Sequence, residues 1–233
     1  MERLDKLLAG TGRWSRKEVK ELVRTGRVRV NGVLAAKAED KYDPDSVFTV
    51  DAEQVFCGQL VYIMLHKPDG VLSATEDTRQ KTVIDLLPEH LRRIGLFPVG
   101  RLDKDTEGLL LLTNDGPLGH QLLAPKKHVD KTYFVRVDGA LNEQDVEAFR
   151  VGMTLEDGYT CLSAGLELLE RSDEAIVTLR EGKYHQIKRM LAARGKPVVY
   201  LKRLTMGPLK LDDALELGQW RELTAEEKRM LGR

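Results

Sequence analysis

Cysteine is scarce in this sequence, since Cys57 and Cys161 are its two cysteines and they form no CxxC pair. Two isolated cysteines argue against a disulfide framework and against a zinc knuckle. The five histidines are scattered along the chain without an HxH or HxxxH pair. Because metal sites in proteins usually need such clusters, we expect no bound metal.

Long apolar runs are also missing. No segment approaches the roughly 18 to 20 apolar residues that a membrane-spanning helix needs. The charged start, MERLDKLLAGTGRWSRKEVK, lacks the apolar core of a signal peptide. There is no GxGxxG and no Walker loop, the glycine-rich patterns that bind nucleotides. We therefore expect a cytoplasmic protein with no membrane partner and no cofactor.

The formal net charge is zero, but the charges are segregated along the chain. Residues 1–37 hold ten basic and four acidic side chains, and residues 38–53 hold one basic and six acidic side chains. Residues 180–203 hold eight basic side chains and one acidic side chain. Two basic segments in a neutral protein indicate local contact with phosphate groups, although a single charged run is more often solvated surface.

The first 51 residues are predicted to form a small α/β domain. RLDKLLAG is a short amphipathic helix that ends at Gly10, and Ser15 with Glu18 forms a capping box for the following helix. An Asn-Gly pair within RVRVNGVLA predicts a hairpin, and SVFTV supplies one more strand. The apolar face of the second helix consists of Val19, Leu22 and Val23.

This segment resembles the S-four RNA-binding domain, which is named after a protein of the small ribosomal subunit. The resemblance covers about residues 1–50, and SRKEVKELVRTGRVRVNG carries most of it. It implies binding to structured RNA, mainly through charge and shape. The basic side chains that we expect to contact RNA are Arg16, Lys17, Lys20, Arg24 and Arg27.

Residues 52–60 are predicted to be a linker, and residues 61–233 a second, larger domain. Strand patterns such as LVYIMLHKP and KTYFVRVDG alternate there with helical patterns such as PLGHQLLAP and NEQDVEAFRVG. The strands come in close pairs with helices between the pairs. This order predicts a mixed, largely antiparallel α+β domain.

An acidic residue, Asp103, lies between two predicted buried strands in the segment GRLDKDTEGLLLLTNDG. Taken alone, such a residue is more often a turn former that bonds its own backbone than a catalytic group. The neighbouring Asp105 and Glu107 are expected to be solvated loop charges.

The segment EGKYHQIKRMLAARG predicts an amphipathic helix that ends at Gly195. Its basic face carries His185, Lys188 and Arg189, close to the start of the helix. Its apolar face consists of Tyr184, Ile187, Met190 and Leu191. The basic face is suited to contact RNA phosphates or a buried carboxylate, although an ordinary surface helix has the same pattern.

Together these segments resemble the motifs of the pseudouridine synthases, specifically of the RsuA group. GRLDKDTEGLLLLTNDG matches the central motif of that group, KTYFV its tyrosine motif and EGKYHQIKRM its C-terminal motif. The resemblance extends over essentially the whole chain. Three motifs in order and at this spacing form a specific signal, whereas an isolated RLD would be weak.

The resemblance implies a role for each matching residue. Asp103 matches the catalytic aspartate, Tyr133 the tyrosine that stacks on the target base, and Lys188 the basic residue that pairs with the aspartate. Ile187 matches an apolar residue beneath the base, and Arg101 an arginine near the flipped nucleotide. Further RNA contacts near the active site are expected from His185, Arg189 and Lys202.

The chemistry of pseudouridine formation agrees with these roles. The N1–C1′ bond of uridine breaks and the same base rejoins the sugar through C5, so no atoms are gained and no cofactor is required. A carboxylate kept ionised by a nearby lysine and an aromatic surface that receives the unstacked base are what the reaction needs. Covalent attack by the aspartate and proton abstraction through a glycal-like intermediate both remain open.

Two other functions are compatible with parts of the sequence. A glycosidase would use Asp103 with Asp105 or Glu107, whose carboxylates would have to lie roughly 5 to 9.5 Å apart. A ribosome-assembly factor would use the RNA-binding domain without catalysis. A glycosidase would leave the basic segments without a purpose, and the presence of Asp103, Tyr133 and Lys188 speaks against an assembly factor without catalysis.

The expected substrate is 16S ribosomal RNA rather than 23S ribosomal RNA, because KYHQIKRM and GPLKLD are more similar to the 16S enzymes of the group. Free ribosomal RNA and a ribosomal assembly particle are both possible forms of this substrate. A monomer is expected.

Overall fold

The computed structural model describes residues 1–124 and 129–233. Contacts within the chain divide it into two units. The first unit contains Met1–Val61 and Ile84–Phe97, and the second contains Tyr62–Val83 and Pro98–Arg233. In the described segments, no helix combines the length and the apolar character that crossing a membrane demands.

The first unit combines short helices with two small antiparallel sheets. Its helices are α1 (Leu4–Ala9), α2 (Arg16–Arg24) and α3 (Glu89–Arg92). Its strands are β1 (Glu2–Arg3), β2 (Val28–Val30), β3 (Val33–Leu34), β4 (Lys41–Tyr42), β5 (Phe48–Val50) and β6 (Glu53–Val55). β1 pairs with β4, and the other four strands follow the order β3-β2-β5-β6.

Local sequence signals account for most of this unit. The Ser15 hydroxyl accepts a hydrogen bond from the Glu18 amide and the Glu18 carboxylate accepts one from the Ser15 amide, which confirms the predicted capping box. Asn31 and Gly32 both have positive φ, at 50° and 82°, as a two-residue turn between β2 and β3 requires. Val19, Leu22 and Val23 are buried, as predicted.

The linker predicted for residues 52–60 is wrong in its first half. Asp51 and Ala52 adopt positive φ values of 50° and 66°, so the chain turns back and β6 pairs with β5. Val55 is buried as a result. The predicted boundary at residue 61 also misses Ile84–Phe97, which belongs to the first unit and begins with a 3₁₀ turn, Ile84–Leu86.

The second unit is built around one large sheet, and its helices lie between the strands in chain order. The remaining strands are β7 (Tyr62–Lys67), β8 (Phe97–Pro98), β9 (Glu107–Thr113), β10 (Lys131–Val137), β11 (Gly165–Leu168), β12 (Glu174–Leu179), β13 (Val198–Met206), β14 (Leu209–Lys210) and β15 (Trp220–Glu222). The helices are α4 (Gly116–Leu123), α5 (Glu143–Val151), α6 (Gln186–Ala193) and α7 (Ala225–Met230). The helix predicted in PLGHQLLAP is α4, and its last predicted residue, Pro125, lies outside the described residues.

The path through this sheet is β11-β12-β10-β13-β9-β7-β15. β13 and β9 run parallel, whereas the other neighbours on the path run antiparallel. The prediction of a mixed, largely antiparallel α+β domain is therefore confirmed. The centre of the sheet is apolar on both faces, since every residue of Leu109–Leu112 in β9 is fully buried.

Gly108 allows β9 to approach β13. Its φ is +109°, and a Cβ placed there would lie 2.2 Å from the carbonyl oxygen of Arg203. We expect Gly108→Ala to lower the free energy of unfolding by about 3 kcal/mol, because backbone strain and overpacking each cost about 1–3 kcal/mol. Urea unfolding measures this change. The matched control is Gly116→Ala, which meets no atom within 4 Å and should change stability by less than about 0.5 kcal/mol.

Candidate active site

A cavity of about 70 Å³ lies in the second unit, between the loop that precedes β9 and the start of α6. Strands β10 and β13 form its floor through Tyr133 and Leu201. The predicted catalytic and substrate-binding residues that line this cavity are Arg101, Asp103, Tyr133, His185, Ile187 and Lys188, and we call it the catalytic cavity after that prediction. The fold therefore brings together in one place residues that are up to 87 positions apart in the chain.

Asp103 is held between two basic side chains from α6 and its N-cap. One carboxylate oxygen, Oδ2, lies 3.4 Å from Lys188 Nζ, and the other, Oδ1, lies 3.5 Å from His185 Nε2. The Asp103 side chain is 27% exposed, so the carboxylate remains open to a molecule in the cavity. The two basic side chains hold the carboxylate in place, as a nucleophile or a general base requires.

Lys188 is shared between two carboxylates. Besides Asp103, its ammonium group donates a hydrogen bond to Asp105 Oδ1, and this bond lowers the pKa of Asp105. The prediction of a solvated loop charge at Asp105 is thus half correct: its side chain is 69% exposed, but it pairs with the lysine of the active site. The motif predicts that Lys188 lies near Asp103, but it does not predict that Asp105 also pairs with this lysine.

Glu107 is not a solvated loop charge, because it is the first residue of β9 and its carboxylate accepts a hydrogen bond of 2.6 Å from Tyr200 Oη. Glu107 is paired with Lys202 in the parallel β9–β13 ladder. On β13, Lys202 lies between Leu201, which lines the catalytic cavity, and Arg203, which lines a second cavity on the same face of the sheet. Since successive strand residues point to opposite faces, Lys202 faces away from the site, and its predicted position near the active cleft is wrong.

The backbone at the start of α6 sets the direction of His185. This residue is the N-cap of the helix and has the left-handed conformation, with φ at 49° and ψ at 33°. Its ring stacks on the ring of Tyr184, with centroids 3.8 Å apart. Tyr184 itself is 69% exposed, so its predicted place on the buried face of the helix is wrong; it precedes the helix and lies outside the apolar stripe.

The floor of the catalytic cavity is apolar and aromatic. Tyr133 is 8% exposed and Ile187 is 4% exposed, and both contribute to the cavity wall. The ladder between β10 and β13 shifts register between Thr132 and Tyr133, where Leu204 of β13 is the extra residue of a bulge opposite the tyrosine. Bulges next to functional sites aim a side chain. The arrangement offers a planar surface and an aliphatic support to a flat ring.

Arg101 and Arg189, both predicted RNA contacts, differ in their surroundings. Arg101 is exposed and lines the catalytic cavity. Arg189 pairs with Asp157 at 2.6 Å, and it does not line that cavity. The guanidinium of Arg189 points toward the segment that follows α5. Helical spacing alone does not show this direction.

The basic residues predicted to bind RNA in the first unit also divide into two groups. Three of them already form ion pairs, Lys20 with Glu39, Arg24 with Glu21 and Arg27 with Asp51. The other two, Arg16 and Lys17, form no ion pair within the described residues. They line a shallow depression together with Arg3, Asp5 and Lys20.

Sequence reasoning missed Lys67, which is fully buried at the end of β7. Its ammonium group donates to three backbone carbonyls, those of Pro68 at 3.0 Å, Lys104 at 3.1 Å and Thr106 at 2.9 Å. Two of these carbonyls flank Asp105 in the loop that carries Asp103. Burial lowers the pKa of Lys67 to about 8, against the opposing effect of nearby carboxylates. The sequence signal that could have identified Lys67 is its position directly before Pro68, at the end of an apolar strand.

The site has the features of an enzyme that handles a flat base next to an ionised carboxylate. No group of three or more His, Cys, Asp or Glu side chains suited to a metal occurs in the part of the chain that the structure describes. The family model of RNA pseudouridylate synthase matches residues 61–193, and the model of the S4 domain matches residues 2–48.

The chain belongs to the RNA pseudouridylate synthase family and carries an S4 RNA-binding domain. It is 50% identical to an uncharacterized RNA pseudouridine synthase of Bacillus subtilis, over 98% of each chain. It is 38% identical to the ribosomal small subunit pseudouridine synthase A of Vibrio cholerae, over 97% of each chain. It is also 38% identical to the ribosomal large subunit pseudouridine synthase B of Bacillus subtilis, over 99% of this chain and 96% of that one.

A solved structure agrees with this assignment. A crystal structure of a pseudouridylate synthase superposes with a TM-score of 0.71 and 33% sequence identity, and it covers 99% of this chain and 100% of the other. The chain is therefore an enzyme, an isomerase that acts on RNA, as the sequence motifs predict.

Proposed function

We propose that this enzyme isomerises one uridine of 16S ribosomal RNA to pseudouridine, with Asp103 as the catalytic carboxylate. The observation that carries the proposal is the Asp103 carboxylate held 3.4 Å from Lys188 Nζ and 3.5 Å from His185 Nε2 in a cavity floored by Tyr133 and Ile187. An ionised acid beside an aromatic surface fits a reaction in which a base is detached, turned and rejoined.

Each side chain has a distinct task in the proposed reaction. The target uridine leaves its stack and lies against Tyr133, which takes the place of the lost stacking partners. Asp103 acts at the sugar while the N1–C1′ bond breaks, the base turns and C5 bonds to C1′. The proton on C5 is lost and N1 gains one, so the product is an isomer of the substrate. Lys188, 3.4 Å from Asp103 Oδ2, attracts the carboxylate and holds it in place during the reaction.

The site argues against a glycosidase. Such an enzyme needs a second carboxyl group that stays protonated as the general acid. Glu107 is unsuitable because it faces away from the cavity and accepts a bond from Tyr200. Asp105 is unsuitable because the hydrogen bond from Lys188 lowers its pKa, whereas a general acid needs a raised one.

The choice of 16S over 23S ribosomal RNA is supported by the C-terminal motif rather than by overall identity. The small subunit enzyme of Vibrio cholerae and the large subunit enzyme of Bacillus subtilis are equally similar to this chain, at 38% identity. The motif KYHQIKRM, which favours the 16S enzymes, includes His185, and this residue contacts Asp103 in the site. A contact with the catalytic carboxylate gives that motif a direct effect on the reacting nucleotide. The monomer expected from the sequence is part of the same proposal.

Pseudouridine mapping tests the proposal. 16S and 23S ribosomal RNA that lack the modification are incubated with the enzyme, treated with the carbodiimide that marks pseudouridine, and read by primer extension. One new stop in 16S ribosomal RNA is the expected result. A stop in 23S ribosomal RNA instead would keep the chemistry and overturn the substrate. Ribosomal particles are tested in parallel, and the absence of stops on both RNAs and particles would leave only an RNA-binding assembly factor.

Lys17 is expected to contribute more to RNA binding than Arg24, although both lie exposed on α2. Arg24 is neutralised by Glu21, whereas Lys17 has no such partner within the described residues. Lys17→Ala should therefore weaken binding and lower the slope of log affinity against log salt by about 0.7 to 0.9, the loss of one phosphate contact. Arg24→Ala is the matched control, and an equal drop in slope for both variants would show that the Glu21 pair does not matter.

A further inference from the structure

A second, larger cavity of about 370 Å³ adjoins the catalytic cavity. The two cavities share parts of their walls, namely Arg101, Tyr133, Gly182 and Lys183. When an RNA strand places a base on Tyr133, the second cavity therefore lies beside that base, within reach of the next nucleotide. We call this space the flanking cavity.

The wall of the flanking cavity is strongly basic. Its charged side chains are the basic Arg101, Lys131, Arg180, Lys183 and Arg203 and the acidic Glu181. Glu181 is already engaged, because its carboxylate accepts hydrogen bonds from Tyr159 Oη and Gln186 Nε2, each of 2.6 Å, and from the Leu162 amide at 2.8 Å. Glu181 already accepts three hydrogen bonds, so this one carboxylate does not neutralise the five cations.

Four of the five cations, all except Arg180, have no carboxylate partner among the described residues. Arg101 and Lys183 are exposed to solvent, whereas Lys131 is half-buried and Arg203 is buried. Arg203 is 2% exposed, and its Nε donates to the carbonyl of Leu109 at 2.7 Å. Its Nη2 has no hydrogen-bond partner among the residues that the structure describes. Lys131 Nζ has one backbone acceptor, the carbonyl of Val129 at 3.1 Å. A buried guanidinium nitrogen without an acceptor is costly, so the arrangement is unfavourable unless a ligand completes it.

Lys131 and Arg203 also act on one another. They lie on adjacent strands, β10 and β13, and burial together with the charge of Arg203 lowers the pKa of Lys131. Two like charges in a partly buried wall repel each other, and an anion between them would remove both the repulsion and the missing hydrogen bonds. The carboxylate of Asp130, the preceding residue, opposes this lowering of the pKa, but it is paired with Arg180 at 3.0 Å.

We propose that the flanking cavity binds a backbone phosphate of the RNA strand, the phosphodiester of a nucleotide next to the target uridine, through Lys131 and Arg203. This inference rests on the proposed function, since it assumes RNA in the catalytic cavity. The shared wall at Tyr133 places the phosphate beside the flipped base. Apolar side chains of Leu123 and Leu162 in the same cavity suit the sugar that carries the phosphate. A space of about 370 Å³ exceeds the needs of a free phosphate ion.

A phosphate scan tests this inference. The probe is a fluorescent five-nucleotide RNA with one central uridine, in which each linkage in turn is replaced by an uncharged methylphosphonate. Binding is measured by anisotropy with the full chain carrying Asp103→Asn, so that no turnover occurs. We expect one linkage beside the uridine to be sensitive, with a loss of about tenfold in affinity, the effect of one charge-assisted contact.

The same scan is repeated in three further variants of that chain. Lys131→Met should bind the unmodified RNA about tenfold more weakly and should no longer respond at the sensitive linkage. Lys131→Arg keeps the charge and should behave as the parent does. Lys210→Met removes one lysine of the same unit that lines neither cavity, and it should keep the sensitive linkage.

Three results would overturn the inference: equal affinity for all modified RNAs, a sensitive linkage that persists in Lys131→Met, or equal weakening by Lys131→Arg and Lys131→Met. Inorganic phosphate is tested as a competitor. Displacement of the RNA by phosphate that depends on Lys131, without a sensitive linkage, would assign the cavity to a free anion. Because binding is measured without turnover, this scan and the pseudouridine mapping can fail independently.

Discussion

Asp103→Asn is expected to abolish pseudouridine formation, lowering the single-turnover rate on the RNA identified by mapping by about 10³-fold or more. Asparagine has nearly the same shape and still fills the space between Lys188 and His185. It can neither attack the sugar nor accept a proton from it, so the loss falls on the chemical step. The affinity for RNA should fall by less than about threefold, because removal of a negative charge does not weaken attraction to phosphate.

Asp105→Asn is the matched control for this prediction, since it removes an equal charge from the same loop. Asp105 shares Lys188 with Asp103, and its loss frees the lysine for the catalytic carboxylate alone. Its rate should stay within about tenfold of the wild type. A rate loss by Asp105→Asn that matches that of Asp103→Asn, or an active Asp103→Asn enzyme, would remove Asp103 from the catalytic role.

Local signals in the sequence predict the local parts of the fold. The capping box at Ser15, the Asn31–Gly32 turn and the buried face of α6 all depend on residues within four positions of each other. The alternation of apolar residues in β10 is of the same kind. In each case the energy that decides the structure lies within the segment, so the segment alone reveals it.

Long-range partners are not visible in the same way. Glu107 looks like a loop charge until Tyr200, 93 residues later, is placed on the neighbouring strand. Lys202 is predicted to contact RNA near the active site, and its neighbour Leu201 does line the cavity. The pleat of β13 turns Lys202 to the other face of the sheet. Strand pairing decides both cases, and pairing is set by the whole sheet.

Charge neutralisation limits the prediction of the RNA surface for a related reason. Helical spacing identifies the basic face of α2, but it does not show that Lys20 is paired with Glu39 or Arg27 with Asp51. The acids that neutralise these cations come from the acidic segment 38–53, which the sequence shows as a separate run. Only the fold brings the two runs together.

The proposed catalytic residues are predicted by the motifs and not by physical reasoning on single residues. Asp103 taken alone is more often a turn former, and Tyr133 resembles any core aromatic of a strand. The three motifs in order identified both, and the structure places them in one cavity. Lys67 had no comparable signal, because a buried lysine at the end of an apolar strand looks like a surface residue that follows the core.

Lys67→Met is expected to lower the single-turnover rate by about 10²-fold, with little change in RNA affinity. The ammonium group ties the carbonyls of Lys104 and Thr106, on either side of Asp105, to the end of β7. Without it the loop that carries Asp103 is no longer fixed, and a misplacement of about 1 Å in a catalytic group costs about 10²-fold. Lys67 does not line the catalytic cavity, so it acts by positioning rather than by touching the base.

Lys67 should also produce a pH dependence of stability. Its pKa is lowered to about 8 in the folded chain, against 10.5 for an ordinary lysine. Between these two values the unfolded chain binds more protons than the folded chain, so the contribution of Lys67 to the free energy of unfolding increases as the pH rises from 8 to 10. Urea unfolding at pH 7 and pH 9 measures this, and the wild type should gain about 1 kcal/mol relative to Lys67→Met at the higher pH.

The matched control for both effects is Lys104→Met. Lys104 lies in the same loop and has the same charge, but its ammonium group is exposed and donates to the side chain of Gln80. Its removal should leave the rate within about twofold of wild type and the pH dependence unchanged. A lower rate in Lys67→Met that is explained entirely by weaker RNA binding would exclude positioning, because a buried group that only holds the loop has no direct contact with the substrate. Rate loss at saturating RNA, together with the pH signature, would show that one buried cation both orders the loop and titrates near pH 8.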